Sequence, residues 1–183
     1  MKVVNFLGGP GVGKSTVAAD VFVLMKKAGY SVEFVDEYAK EKTYEREFGK
    51  LEDQLYILAN QHRKLNRLWG QVKYIVTDSP IILSGYYNIL NLNKNLNTMT
   101  YEQEIFLPLV LNIWKNYENY SILLERDDSL EYQAYGRNQT HEQAKQMDKE
   151  LTDYLNIVKC DMLNVKAGTS TSSILSLLKR KGL

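Results

Sequence analysis

Gly8-Gly9-Pro10-Gly11-Val12-Gly13-Lys14-Ser15-Thr16 is the stretch that decides the fold, because its first eight residues satisfy the phosphate-loop pattern G-x-x-x-x-G-K-[ST]. The glycines allow successive backbone N–H groups to turn toward bound phosphates, and the positive end of the following helix faces their negative charge. Lys14 is placed to reach the β- and γ-phosphates, and the Ser15 hydroxyl is placed to ligate Mg²⁺. All nine residues are therefore predicted to bind the phosphates of a nucleotide.

The sequence around this loop alternates between strand and helix patterns. Residues 2–7 (KVVNFL) form an apolar, β-branched run typical of a buried strand, and the helical spacing after the loop continues to Gly29. Further strands are predicted over residues 31–35, 72–77, 121–124 and 157–165, and further helices over about 45–69, 81–90, 100–120, 140–156 and 174–181. This alternation predicts an α/β fold in three layers, with a five-stranded parallel sheet and helices on both faces.

Two helix starts carry specific signals. Thr140 with Gln143 has the spacing of a capping box, which predicts a helix that begins there. Pro108 falls inside the predicted helix over 100–120, so we expect either a kink or a later start near Leu107.

The composition limits the classes of protein to consider. With 183 residues, 44% of them hydrophobic, the chain suits one compact domain over residues 1–183. The net charge of +1 gives no broad basic field for a polymeric nucleic acid, although a local basic groove stays open. A single cysteine rules out an internal disulfide framework, and no apolar run approaches the roughly 18 residues of a membrane span. We therefore expect a cytoplasmic protein with no membrane partner.

Carboxylates follow two of the predicted strands. Asp36 and Glu37 come after the second strand, and Asp78 comes after the third. In open α/β sheets, ligands bind at this edge. Asp36 or Glu37 could accept the proton of an acceptor hydroxyl or hold a sugar, with a helix N-cap or a surface pair as the alternative. Asp78 is predicted to join the Mg²⁺ shell through water, or otherwise to cap the helix after Pro80.

Basic and amide side chains supply further candidates. Arg137 is the preferred cation for the transition-state charge and Arg126 the second, with a solvated ion pair as the alternative for each. Gln54 and Gln61 lie seven residues apart on one helix face, where they could read an acceptor base or merely form a polar surface.

Four segments together resemble the small P-loop proteins of bacteriophages described as ATPases or nucleotide kinases, which are related to the nicotinamide riboside kinase domain and to nucleoside and nucleotide monophosphate kinases. These segments are GGPGVGKST (8–16), DEYAKE (36–41), YIVTDSP (74–80) and YGRNQTHEQAKQMDKEL (135–151). The resemblance implies a kinase-like P-loop fold with the sheet order 2-3-1-4-5 and ATP with Mg²⁺ as cofactors. It also implies a helical acceptor side over about 37–70, a mobile lid over about 126–140 that carries Arg137, and backbone contacts from Ala167 and Gly168 to adenine. A phage origin would place the protein in the host cytoplasm.

The leading hypothesis from the sequence is a Mg²⁺- and ATP-dependent phosphotransferase acting on a nucleoside, a nucleotide or a related small molecule. A switch or weak ATPase that regulates a partner needs the same loop but no acceptor pocket. A kinase of a hydroxylated base in DNA is the third hypothesis, and the near-zero net charge argues mildly against it. A homodimer is compatible with each of these hypotheses.

Overall fold

The computed structural model describes residues 1–91, 101–127, 129 and 140–183, and of residues 101–103 only the backbone. The strands in this part of the chain, β1 to β5 in chain order, are Lys2–Leu7, Val32–Val35, Tyr74–Thr77, Glu118–Glu125 and Met162–Lys166. The helices, α1 to α8, are Lys14–Lys27, Tyr38–Tyr44, Phe48–Glu52, Gln54–Asn66, Leu83–Asn91, Tyr101–Lys115, His141–Ile157 and Thr171–Arg180.

The strands form one parallel sheet in the order β2-β3-β1-β4-β5. This confirms the predicted α/β fold class and the strand order that the resemblance implied. Because every strand runs in the same direction, the segments that follow β1, β2, β3 and β4 all emerge at one edge of the sheet.

The core lies on both faces of this sheet, as the alternation along β1 shows. Val4 and Phe6 belong to an apolar cluster with residues of α1 and α8, whereas Val3 packs with α4 and α6, and Leu7 with α5 and α7. Side chains alternate between the two faces of a strand, so β1 is buried from both sides. The result is a three-layer arrangement with the phosphate loop at the end of the central strand.

The prediction of one long helix over residues 45–69 is wrong. The chain forms three shorter helices between β2 and β3, and two of them, α3 and α4, lie in that range. Asp53 has φ −79° and ψ 86°, outside the helical region, and its carboxylate accepts a hydrogen bond from the Tyr56 N–H at 2.9 Å. An aspartate in this position caps a new helix, so α4 starts at Gln54. Arg46, with φ +57°, separates α2 from α3.

Other boundaries follow from local signals and from the sheet. The capping box of Thr140 and Gln143 is present in both directions, as predicted, and α7 runs to Ile157. Because α7 occupies residue 157, β5 begins later in the range 157–165 that was predicted to hold it, at Met162, and ends at Lys166. The start near Leu107 is also wrong, because α6 runs from Tyr101 through Pro108.

None of the helices within the described ranges has both the length and the apolar character that crossing a membrane requires.

Candidate functional site

The phosphate loop joins β1 to α1 with the geometry that its glycines predict. Gly11 has φ +82° and Gly13 has φ +96°, in the left-handed region that residues with a side chain rarely adopt. The first turn of α1 carries no acidic residue that would offset the positive end of the helix. Lys14 Nζ donates a hydrogen bond to Gly9 O at 2.9 Å, which holds the ammonium group over the loop. The loop therefore has the features of an anion-binding site.

Arg126 and Asp148 hold the outer side of this loop. Gly9 N–H donates to Asp148 Oδ1 at 3.0 Å, and Arg126 Nη2 donates to Pro10 O at 2.7 Å. The two side chains also bond each other, from Arg126 Nε to Asp148 Oδ2 at 2.6 Å and from Nη2 to Oδ1 at 3.2 Å. The structure thus places the predicted Arg126 at the loop, where it is paired with an aspartate that sequence reasoning missed.

The two carboxylates after β2 have different surroundings. The Asp36 side chain is 64% exposed and pairs with Lys64 Nζ at 2.9 Å. Glu37 is only partly exposed, and burial raises the pKa of its carboxyl group. The Lys14 charge opposes that rise in the Glu37 pKa and the Asp78 charge adds to it. Glu37 therefore lies in the electrostatic field of the phosphate-loop lysine, whereas Asp36 is engaged by α4.

Gln61 of α4 fixes the backbone on both sides of Glu37. Its Oε1 accepts from the Tyr38 N–H at 2.9 Å, and its Nε2 donates to Asp36 O at 3.2 Å. The residue is 2% exposed. Gln54, by contrast, donates from Nε2 to Leu51 O at 2.7 Å, which joins the start of α4 to α3. The Gln61 amide is thus committed to the β2–α2 junction, which leaves it unsuited to reading a base.

Asp78 lies at the end of β3 with little exposure to solvent. The residue is 5% exposed, and its Oδ1 has no hydrogen-bond partner among the described residues. A buried carboxylate oxygen without a partner fits a site for Mg²⁺ or for a water in its shell. No group of three acidic, histidine or cysteine residues in the described ranges forms a protein cage for a metal. Mg²⁺ would therefore be held by Ser15, Asp78, phosphate oxygens and water, which is how it commonly binds at nucleotide sites.

A tyrosine that the sequence did not single out lies near Glu37. Burial raises the pKa of the Tyr87 phenol, and the Glu37 charge raises it further. Both effects disfavour the phenolate, so the Tyr87 phenol keeps its proton. With thirteen tyrosines in the chain, no motif marks this one.

The remaining candidates are placed less directly. Arg137 lies outside the described residues, as does the rest of the predicted lid over 126–140 apart from residues 126, 127, 129 and 140. Ala167 N–H donates to Glu125 O at 2.8 Å, so the sheet uses that N–H and an adenine contact through it is excluded. Gly168, with φ +85°, lies in the turn after β5.

Comparisons with known proteins agree with this architecture. Residues 3–171 match the model of a family described as an AAA domain. A search of curated proteins finds no match.

Three similar solved structures share the fold at 18% sequence identity. A deoxyadenosine kinase from M. mycoides with bound dATP gives a TM-score of 0.56 and covers 99% of this chain and 98% of its own. The same enzyme with the products dCMP and a flexible dCDP gives 0.55, with coverage of 99% and 98%. The NadR protein in complex with NR gives 0.64 over 89% of this chain and 45% of its own, so this chain spans about half of that protein.

Proposed function

We propose that this chain, which belongs to the AAA domain family, is a phosphotransferase that moves the γ-phosphoryl group of ATP to a hydroxyl of a nucleoside, a nucleotide or a related small molecule. The observation that carries the proposal is the partly buried carboxylate of Glu37 in the field of Lys14 and Asp78. A switch that only binds and hydrolyses ATP needs the loop, the metal site and a group that positions water, but no pocket for an acceptor.

In this proposal the loop Gly8–Thr16 binds the phosphates of ATP through its backbone N–H groups, apart from Pro10, which has none, and Gly9, whose N–H bonds Asp148. Lys14 leaves Gly9 O to reach the β- and γ-phosphates, and Ser15 and Asp78 hold the Mg²⁺ shell. When bound, Mg²⁺ neutralises charge on the phosphate oxygens. The roles of Arg137 as a lid cation and of Gly168 and the Ala167 carbonyl beside adenine stay predictions.

Glu37 is proposed as the general base. The acceptor hydroxyl gives its proton to the Glu37 carboxylate while its oxygen forms a bond to the γ-phosphorus. The bond from that phosphorus to the bridging oxygen breaks, and ADP leaves with the electron pair. Because a base works best when its pKa lies near the operating pH, the raised pKa of Glu37 suits it to this step.

The acceptor class draws support from the similar structures. One of these proteins is named a deoxyadenosine kinase and another was solved with NR, and both share the fold of this chain. A small-molecule acceptor also agrees with the net charge of +1. We further propose that residues 1–183 act as one domain in the cytoplasm, with the acceptor held by the helical region 37–70.

Two matched variants test the assignment of the base. Glu37→Gln removes the proton acceptor, while Glu33→Gln makes the same change on β2 in a side chain that is 44% exposed and pairs with Lys26. With γ-labelled ATP and pooled nucleosides and nucleotides, we expect Glu37→Gln to lower transfer about 10²- to 10⁴-fold without weakening ATP binding. Glu33→Gln should transfer like the wild type.

The alternative base is tested in the same assay with Asp36→Asn. Its carboxylate pairs with Lys64, so we expect transfer to persist. Loss of transfer in Asp36→Asn, together with normal transfer in Glu37→Gln, would overturn the assignment of Glu37.

A further inference from the structure

We infer that Arg126 and Asp148 form a clasp that holds the phosphate loop in its nucleotide-binding shape. Both are then positioning residues, which act through the loop backbone and do not touch the transferred phosphoryl group. This role for Arg126 differs from the transition-state role predicted from the sequence. The inference rests on the proposed function only in requiring that the loop binds a nucleotide.

The clasp contacts two consecutive residues of the loop. Asp148 accepts from the N–H of Gly9 at 3.0 Å, and Arg126 donates to the C=O of Pro10 at 2.7 Å. The Asp148 carboxylate accepts from the loop N–H and the Arg126 guanidinium donates to the loop carbonyl, so each of these backbone groups has a charged partner. Charge-assisted hydrogen bonds of this kind are about twice as strong as neutral ones. The backbone between β1 and α1 is thereby fixed at its outer side.

The two side chains also orient each other. Arg126 Nε and Nη2 meet Asp148 Oδ2 and Oδ1 at 2.6 and 3.2 Å, which is a two-point contact between planar groups. The Arg126 side chain is 10% exposed and the Asp148 side chain 24% exposed, so solvent screens this pair less than it screens a surface ion pair. Because Nε and Nη2 are directed to Asp148 and Pro10, the guanidinium is oriented by the protein toward the loop backbone.

The absence of a side chain at Gly9 leaves room for the Asp148 carboxylate. A Cβ atom at position 9 would lie 2.1 Å from Asp148 Oδ1, closer than real Cβ contacts allow. The second glycine of the loop is therefore required by the clasp, independently of the phosphate. The loop motif leaves this position open to any residue, so the pattern alone does not explain why a glycine stands here.

A loop that binds through its backbone benefits from being fixed in advance. Glycines occupy positions 8, 9, 11 and 13, and a glycine loses more conformational freedom on ordering than any other residue. If the loop had to order when ATP arrives, that entropy would reduce the affinity. The clasp removes this loss, so its rupture should weaken nucleotide binding.

The test measures the affinity for Mg-ATP by titration calorimetry in the wild type, Asp148→Ala, Arg126→Ala and the double variant. We expect each single variant to weaken binding about 10- to 100-fold, the range expected for one charged hydrogen-bonded contact. The double variant should bind no more weakly than the worse single variant, because the pair acts as one unit. Asp153→Asn changes an exposed aspartate of the same helix and should bind like the wild type.

The melting temperatures of the nucleotide-free proteins show whether a variant has also lost stability. Asp148→Asn and Arg126→Lys keep a hydrogen-bonding group and serve if the alanine variants fail to fold, and the expectation of weaker binding is the same for them. An unchanged affinity for Mg-ATP, with or without a lower melting temperature, would overturn the inference. So would a fall in kcat for Arg126→Ala with its Mg-ATP affinity intact, since that result would place Arg126 at the reacting phosphoryl group.

The same measurements distinguish the inference from the proposed function. A wild-type protein that binds Mg-ATP but transfers phosphate to no acceptor contradicts the phosphotransferase proposal and leaves the clasp test unaffected. A wild-type protein that does not bind Mg-ATP overturns both.

Discussion

Two adjacent carboxylates at the end of β2 differ in their surroundings, and that difference is the reason for proposing Glu37 as the base. Asp36 reaches outward to Lys64 and stays in contact with solvent. Glu37 turns toward the loop, where loss of hydration raises its pKa against the pull of Lys14. The spacing of the two residues in the sequence gave no reason to prefer either. The packing of α4, whose Lys64 pairs with Asp36, separates their surroundings.

The raised pKa of Glu37 predicts a pH-dependent stability. The folded protein binds this proton more tightly than the unfolded chain, so stability falls as pH rises through the folded-state pKa. Glu37→Gln cannot ionise, so we expect it to melt at a higher temperature than the wild type at neutral pH. Below about pH 4, under the pKa of an unfolded glutamate, the difference should vanish. Equal differences in melting temperature at pH 4 and pH 8 would contradict this prediction.

Asp78 gives a prediction about the metal. Its Oδ1 has no hydrogen bond among the described residues, so Asp78→Asn should leave the melting temperature close to that of the wild type. The variant should need more Mg²⁺ for half-maximal transfer and should transfer about 10²- to 10³-fold more slowly at saturation. Asp20→Asn, an exposed change on α1, is the control. An unchanged Mg²⁺ dependence in Asp78→Asn would show that this carboxylate does not serve the metal.

At the scale of elements, α4 supports the β2–α2 junction that presents Glu37. Gln61 bonds the backbone on both sides of Glu37, and Lys64 pairs with Asp36 and Glu41 beyond it. Two polar residues of one helix thus hold a turn that has no side-chain cap of its own. Gln61 and Lys64 on the polar face of α4 therefore serve to hold this turn.

Gln61→Ala should therefore weaken transfer through Glu37. We expect a loss of about 1–3 kcal/mol in the free energy of unfolding, since the Tyr38 N–H and the Asp36 carbonyl oxygen lose their side-chain partner. The kcat for transfer should fall at least tenfold, with the affinity for Mg-ATP unchanged. Gln54→Ala is the matched control, because it removes a buried glutamine of α4 that bonds only Leu51 O among the hydrogen bonds described. Equal kinetic effects in the two variants would argue that α4 does not position Glu37.

Local signals account for the elements that the sequence predicted well. The strand, loop and α1 follow from residues adjacent in the chain, as does the capping box at Thr140. The break before α4 was missed, although Asp53 is a residue type that favours helix starts, because the apolar spacing continues across it. Hydrophobic periodicity therefore located the helical region and not its interruptions.

At the scale of the molecule, the parallel sheet brings distant segments to one edge. Asp148 lies 139 residues from Gly9 in the chain, and no sequence spacing reports that contact. Carboxylates after strands could be predicted, because strand ends are visible in the sequence and the fold class fixes where they meet. The clasp on the loop could not be predicted, since it depends on how α7 packs against the end of β4.

Transfer of labelled phosphate from γ-labelled ATP is the most direct measurement of the proposed function. Each member of a panel of nucleosides and nucleotides is offered with Mg²⁺ to the wild type and to Lys14→Ala, which removes the loop ammonium group. We predict that at least one acceptor stimulates ATP consumption by the wild type and becomes labelled, and that Lys14→Ala loses most of this transfer while remaining folded. Slow ATP hydrolysis that no acceptor stimulates, or normal transfer by Lys14→Ala, would contradict the phosphotransferase proposal.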